Sequence, residues 1–192
     1  GQFAIHLVDS RLQAQLSQMA GANAHRADLI AQAYSHTYGL PVGITRFGNV
    51  YGGGDWNVNR IVPGTIIHLA ENTPPLIRSN GTPLRDYIYV EDVAEGYLRL
   101  AERLDDPAIT GQAFNFSLEQ PIAVRGIVSM IQKLMGREDL EPVIQNTATA
   151  EIAEQYLDAT KARTLLGWQP RFGLEAGLQE SIDWYMRFLK NP

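Results

Sequence analysis

The chain has 192 residues and a mass of 21.3 kDa, room for one large domain or two small ones. Hydrophobic residues make up 45% and charged residues 19%, which excludes wholesale disorder, and 16 basic residues scattered against 21 acidic ones leave no dense face for a nucleic-acid backbone. There is no cysteine, so disulfides, Cys-ligated zinc, iron–sulfur clusters and a thiol nucleophile are all excluded.

Gln2 to Leu16 opens with a short apolar run (Phe3, Ala4, Ile5, Leu7, Val8) and passes into Gln-rich, helical-looking sequence. Between Arg26 and Tyr38, Leu29, Ile30, Ala33 and Tyr34 recur at helical spacing, and Gly39 ends the helix. Pro41 to Phe47 reads as a strand entering the turn Gly52-Gly53-Gly54-Asp55. A helix is expected over Asn59 to Glu71, stopped by Pro74-Pro75. Leu76 to Arg78 and Arg85 to Val90 read as strands around the turn Ser79-Asn80-Gly81-Thr82. Glu91 and Asp92 suit the N-terminal dipole of a helix reaching about Leu104. Ala113 to Ser117 is a compact apolar strand, and helices follow at Val124 to Met135, Ala159 to Leu166 (ended by Gly167) and Leu174 to Leu189. Strands alternate with helices nearly throughout, the pattern of an α/β fold. There is no apolar run of about 18 residues and no signal-peptide pattern, so the expectation is a cytoplasmic protein without a membrane segment.

The four histidines share no metal-ligand spacing, and no Gly-x-Ser-x-Gly, P-loop or Gly-x-Gly-x-x-Gly motif follows a strand. Gly52 to Gly54 reads either as a phosphate cradle or as a tight turn that no side chain can enter. Asn49 stands at a strand's C-terminal edge, where open α/β sheets bind ligands. In Arg85-Asp-Tyr-Ile-Tyr-Val, alternation sends Tyr87 and Tyr89 one way and Ile88 and Val90 the other. Arg85 then either faces a cleft, with a fork suited to phosphate oxygens, or pairs on the surface with Asp86 or Glu91.

Thr45-Arg-Phe-Gly-Asn-Val-Tyr-Gly, Arg85-Asp-Tyr-Ile-Tyr-Val-Glu-Asp-Val, Asp158-Ala-Thr-Lys-Ala-Arg and Leu166-Gly-Trp-Gln-Pro occur in unbroken order. Together they resemble the extended short-chain dehydrogenase/reductase superfamily. Tyr51-Gly-Gly-Gly-Asp, Asn59-Arg-Ile-Val-Pro-Gly-Thr, Ile77-Arg-Ser-Asn-Gly-Thr-Pro-Leu-Arg, Phe114-Asn-Phe-Ser-Leu-Glu-Gln-Pro and Glu151-Ile-Ala-Glu-Gln-Tyr-Leu-Asp are most similar to the CDP-glucose 4,6-dehydratase family. The resemblance runs from Ala27 to about Leu189 and implies the C-terminal part of an extended Rossmann fold with the nucleotide-sugar lobe. Residues 1–26 match no pattern of that family; a truncated gene, a mis-called start, an upstream frameshift and an expressed fragment all fit.

The resemblance implies NAD as cofactor and CDP-glucose as substrate, oxidised at C4, dehydrated across C5 and C6, and reduced at C6. It implies substrate contacts from Asn49, Asn59, Arg60, Arg85, Glu151 and Gln155, with Phe47 and Gly48 beside the nicotinamide. It also implies a homodimer through the helix Arg26 to Tyr38. The family oxidises with a Tyr-x-x-x-Lys pair, in which a lysine on the same helix face lowers the tyrosine pKa. Here those positions hold Ala20 and Ala24, no tyrosine in the chain has a lysine four residues later, and the Thr-x-Asp-Lys elimination motif is missing. The expectation is therefore a chain that neither binds NAD well nor dehydrates a sugar unaided. A non-catalytic nucleotide-sugar-binding or oligomerisation module, or a related epimerase or reductase, are the alternatives.

Overall fold

A computed structural model describes residues 4–9, 23–148 and 151–190, with the backbone alone for 4–9, 23–27 and 190. The expectations for Ala20, and for the Gln-rich stretch after the first apolar run, lie outside the described residues. The apolar opening forms β1 (Ala4–Asp9) and leads to α1 (Asn23–Tyr38), which ends at Gly39 with φ +64°. Strand β2 (Val42–Phe47) lies between β1 and β7 (Ala113–Phe116), and both pairings are parallel. β1 therefore occupies the edge of β2 along its whole length, from Ala4↔Val42 to Asp9↔Phe47.

Past Gly48 the chain bends into β3 (Asn49–Tyr51), which pairs in parallel with β6 (Tyr87–Tyr89). The stretch Arg85 to Val90 is thus not one strand. It divides at Asp86 into β5 (Leu84–Arg85) and β6, and Val90 already opens α3 (Val90–Ala101). The division is fixed by hydrogen bonding, because the Asp86 carbonyl accepts from the Asn49 amide at 2.6 Å. β5 pairs in parallel with β10 (Glu154–Gln155) and antiparallel with β8 (Ile122–Ala123). A last ladder joins β4 (Leu76–Ile77) to β9 (Val143–Ile144).

The second helix, α2 (Ile61–Ala70), starts later than its pattern suggests. Asp55 Oδ1 accepts from the Asn57 amide and Asn57 Oδ1 from the Asn59 amide, at 3.0 and 3.1 Å. Such local side-chain bonds hold the backbone in turns and delay the helix. Likewise α3 stops at Ala101, where Arg103 and Leu104 donate to carbonyls three residues back and tighten the chain into turns. α4 (Val124–Met135), α5 (Thr160–Leu166) and α6 (Leu174–Lys190) complete the described elements, and Gly167 closes α5 with φ +63°.

Two apolar clusters meet at β6. Tyr87 and Tyr89 pack with Tyr51 among residues of α2, α4 and α6, while Ile88 faces Phe47, Phe116 and Trp168 on the other side. The alternation read from the sequence is present over these three residues, and burial on both faces explains why β6 carries no charge. Asp92, at the start of α3 as its charge suits, is fully buried; it accepts from the Arg171 and Phe172 amides at 2.7 and 3.2 Å and pins α3 to the approach of α6.

Candidate functional site

A cleft of about 420 Å³ opens between the first turn of α2, the end of β3, the β5–β6 junction and the segment through residues 151–155. All six residues expected from the sequence to contact a substrate, Asn49, Asn59, Arg60, Arg85, Glu151 and Gln155, line this one space. Arg78 lines it as well and was not singled out, since it stands alone after β4 with no spacing that ties it to the others. Three arginines against one glutamate make the cleft cationic in a chain whose formal net charge is -5.

Each guanidinium is held by a different segment. Arg60 Nη1 donates to Asp55 Oδ2 at 3.1 Å, and Arg78 donates to the side-chain oxygen of Asn59. Arg85 Nη2 donates to Glu151 Oε1 at 3.0 Å and its Nη1 to the Leu84 carbonyl at 2.7 Å. Neither surface partner anticipated for Arg85 is the one used: Asp86 and Glu91 give way to Glu151, which β10 brings alongside by pairing with β5. The leading residues of α2 also line the cleft, its N-cap is Arg60, and no side chain caps it. Uncapped N–H groups and the positive end of the helix dipole favour an anion there. Pro63 sits in the first turn, where its missing N–H breaks no helical bond. Thr65, 2% exposed, adds a hydroxyl with no partner among the described residues, and no sequence signal marks it.

Asn49 commits part of its amide to structure: Nδ2 donates to the Asp86 carbonyl at 3.2 Å, beside the backbone bond to the same oxygen. Phe47 and Gly48 do not line the cleft. The Phe47 ring is 3% exposed and stacks on Phe116 at 4.9 Å, and Gly48 lies so close to the Asp86 carbonyl that a Cβ would approach it to 2.9 Å. The glycine turn also lies apart from the cleft. Gly53 presses against the Trp184 ring and Gly54 takes φ +84°, so Gly52 to Gly54 is the tight turn and not a phosphate cradle.

Asp86 is 1% exposed; Ser117 donates to its Oδ2, while Oδ1 has no partner among the described residues. Burial pushes its carboxyl above the usual carboxylate range, against the Ser117 and Leu157 hydrogen bonds that pull it down. A carboxyl whose folded pKa exceeds its unfolded value contributes stability below the unfolded pKa and loses it as pH rises through the folded one. Wild type is therefore expected to lose stability relative to Asp86→Asn as pH climbs from about 4 to 7. Thermal unfolding of both across that range checks this, and a pH-independent gap between them would refute it.

The parallel strand pairings and the solved structures that superpose on the chain define a Rossmann-like α/β fold, and its cleft is cationic. The sequence model of the NAD dependent epimerase/dehydratase family matches residues 21–116, and the chain belongs to that family. CDP-glucose 4,6-dehydratase of Salmonella typhimurium is 30% identical over 172 residues, covering 88% of this chain and 48% of that protein. The UDP-glucose 4-epimerase of Thermotoga maritima, solved with UDP-glucose, superposes with a TM-score of 0.78 at 25% identity over 86% of this chain and 52% of its own. The dTDP-glucose 4,6-dehydratase of Bacillus anthracis, solved with NAD, gives 0.73 at 25% identity over 84% and 49%. The chain spans about half the length of these relatives. Among the described residues, no helix is long and apolar enough to cross a membrane.

Proposed function

We propose that the cleft binds a nucleoside-diphosphate sugar, with CDP-glucose as the preferred ligand, and that the chain on its own performs no dehydration. The observation that carries this reading is the meeting of Arg60, Arg78 and Arg85 with the uncapped start of α2, four anion-binding features facing one space. A diphosphate matches them in charge, and Asn49, Asn59, Glu151 and Gln155 around it supply polar groups for sugar and ribose hydroxyls. The likeness of five sequence segments to CDP-glucose 4,6-dehydratases supports the cytidine nucleotide. Calorimetric titration of the chain with CDP, UDP, dTDP and GDP tests it. Saturable heat strongest for CDP supports the reading; no heat with any nucleotide from folded protein ends it.

One observation favours a second reading. The structure holding UDP-glucose is an epimerase, and it superposes as well as the dehydratase does. UDP binding stronger than CDP in the same titration would shift the assignment to a uridine-nucleotide epimerase lobe.

The residues present do not fit a complete NAD site. Phe47 spends its ring on the core, no glycine-rich strand–turn–helix motif occurs in the chain, and Ala20 and Ala24 stand where the family has its tyrosine and lysine. Ala24 falls in α1, and Ala20 lies outside the described residues. No redox step is therefore assigned to this chain.

A homodimer through α1 forms part of the same proposal. The inward face of this helix carries Asp28, bonded to Arg46, and Ser35, whose hydroxyl donates to the Leu40 carbonyl at 2.9 Å. Its apolar side chains point outward instead: Leu29, Ile30, Tyr34 and Tyr38 are 51–66% exposed. A helix that turns polar groups inward and a continuous apolar stripe outward suits a second copy of itself. Ile30→Glu with Tyr34→Glu is expected to convert a dimer into a monomer without loss of helical content. Light scattering with circular dichroism checks it, and a wild type already monomeric at high concentration would refute it.

A further inference from the structure

The arginine at the start of α2 is held from the far end of the chain. Tyr185 of α6, fully buried, donates its hydroxyl to the Asp55 carbonyl at 2.5 Å and approaches the Gly52 carbonyl at 3.4 Å. Burial, with the Asp55 carboxylate nearby, pushes this phenol up to about 12, so it remains a donor at every physiological pH. Trp184 fills the space against Gly53, so the turn is clamped on two sides. From that clamped turn the Asp55 side chain works in two directions. Its Oδ1 accepts from the Asn57 amide, and its Oδ2 accepts from Arg60 Nη1 at 3.1 Å. Arg60 lines the cleft, whereas Asp55, Tyr185 and Trp184 do not.

We propose that Asp55 is a positioning residue: anchored by Tyr185, it fixes the Arg60 guanidinium at the cleft's anion-binding end in the orientation that meets a diphosphate. This rests on the nucleotide-sugar reading of the cleft. The physical gain is pre-organisation. A free arginine side chain loses rotamer entropy when it binds, and a side chain already held by a carboxylate has lost it beforehand. The Asp55 carboxylate opposes an incoming phosphate only weakly, since it is not among the cleft-lining residues and its charge is paired with the guanidinium.

Two measurements separate this from its rivals. In the free protein, nitrogen-detected NMR of arginine side chains, with the Arg60 signal assigned by its loss in Arg60→Lys, is expected to show a restrained guanidinium in wild type and an averaged one in Asp55→Asn. An unchanged Arg60 signal overturns the proposal whatever the cleft binds. In titrations with CDP, Asp55→Asn is expected to weaken binding about 5-fold in the wild-type background and to change nothing in Arg60→Ala. An equal loss in both backgrounds means that Asp55 only folds the turn, and tighter binding by Asp55→Asn means that it competes with the phosphate; either result overturns positioning. Tyr185→Phe, which keeps the ring and removes the anchor, is expected to reproduce the weaker binding in part. A wild type that binds no nucleotide while Arg60 is restrained refutes the nucleotide reading, and with it the role of the held arginine, in a way the NMR result makes distinguishable.

Discussion

Arg85→Ala is expected to weaken CDP binding about 10- to 100-fold. A charge-assisted hydrogen bond contributes about 1.5–3 kcal/mol, and each 1.4 kcal/mol is a factor of ten in affinity. Arg85 is well placed for that effect because its side chain is only 12% exposed and lies where β5 ends in the cleft, so a phosphate there is poorly screened by water. Removing it also leaves Glu151 facing the ligand without its partner, which adds repulsion. The double variant Arg85→Ala, Glu151→Gln separates the two contributions: affinity should recover in part but not in full. Arg85→Lys keeps the charge without the fork and should fall between. If Arg85→Ala binds CDP as wild type does, the phosphate lies elsewhere and the role given to this arginine is wrong.

The second large effect concerns stability. Trp168→Ala should cost about 3–5 kcal/mol, the range for truncating a large buried aromatic side chain, out of a total that is about 5–15 kcal/mol for a typical domain. The indole is fully buried, meets Phe116 edge-on at 5.2 Å, and donates its N–H to the Asp92 carbonyl at 3.1 Å. Truncation opens a cavity in the cluster behind β6 and removes a hydrogen bond to the first turn of α3. Trp168→Phe, which fills most of the volume and loses only the hydrogen bond and ring edge, should cost about 1–2 kcal/mol. Chemical denaturation measures both, and a loss under about 1 kcal/mol for the alanine variant would show that the cluster closes around the gap.

The sequence made the helices legible for reasons visible in their residues. Gly39 and Gly167 both take the left-handed conformation that ends a helix, and each closes one where the pattern stopped. The tyrosine and isoleucine alternation in Tyr87-Ile88-Tyr89 showed a strand between two apolar layers. Six of the expected site residues line one cleft because the short β3–β6 and β5–β10 pairings bring segments far apart in sequence together, whereas Phe47 and Gly48 lie off it. What stayed hidden depends on tertiary partners. Two-residue ladders such as β4–β9 and β5–β10 are too short to show a period, so the approach of Glu151 to Arg85 could not be read. The Asp55–Arg60 bond depended on a turn whose shape is set by Tyr185, 130 residues away.

That separation bears on how the chain comes off the ribosome. Tyr51 donates to the Leu174 carbonyl, Tyr89 packs on Phe172, and the turn at Asp55 waits for Tyr185. At about 5–20 residues per second, the 130 residues between Asp55 and Tyr185 take roughly 6 to 26 seconds to synthesise. Until α6 emerges, the aromatic face of β3 and β6 lacks the cover that Leu174, Leu178, Ile182 and Tyr185 supply. The turn that holds Arg60 acquires its anchor only when the last helix arrives.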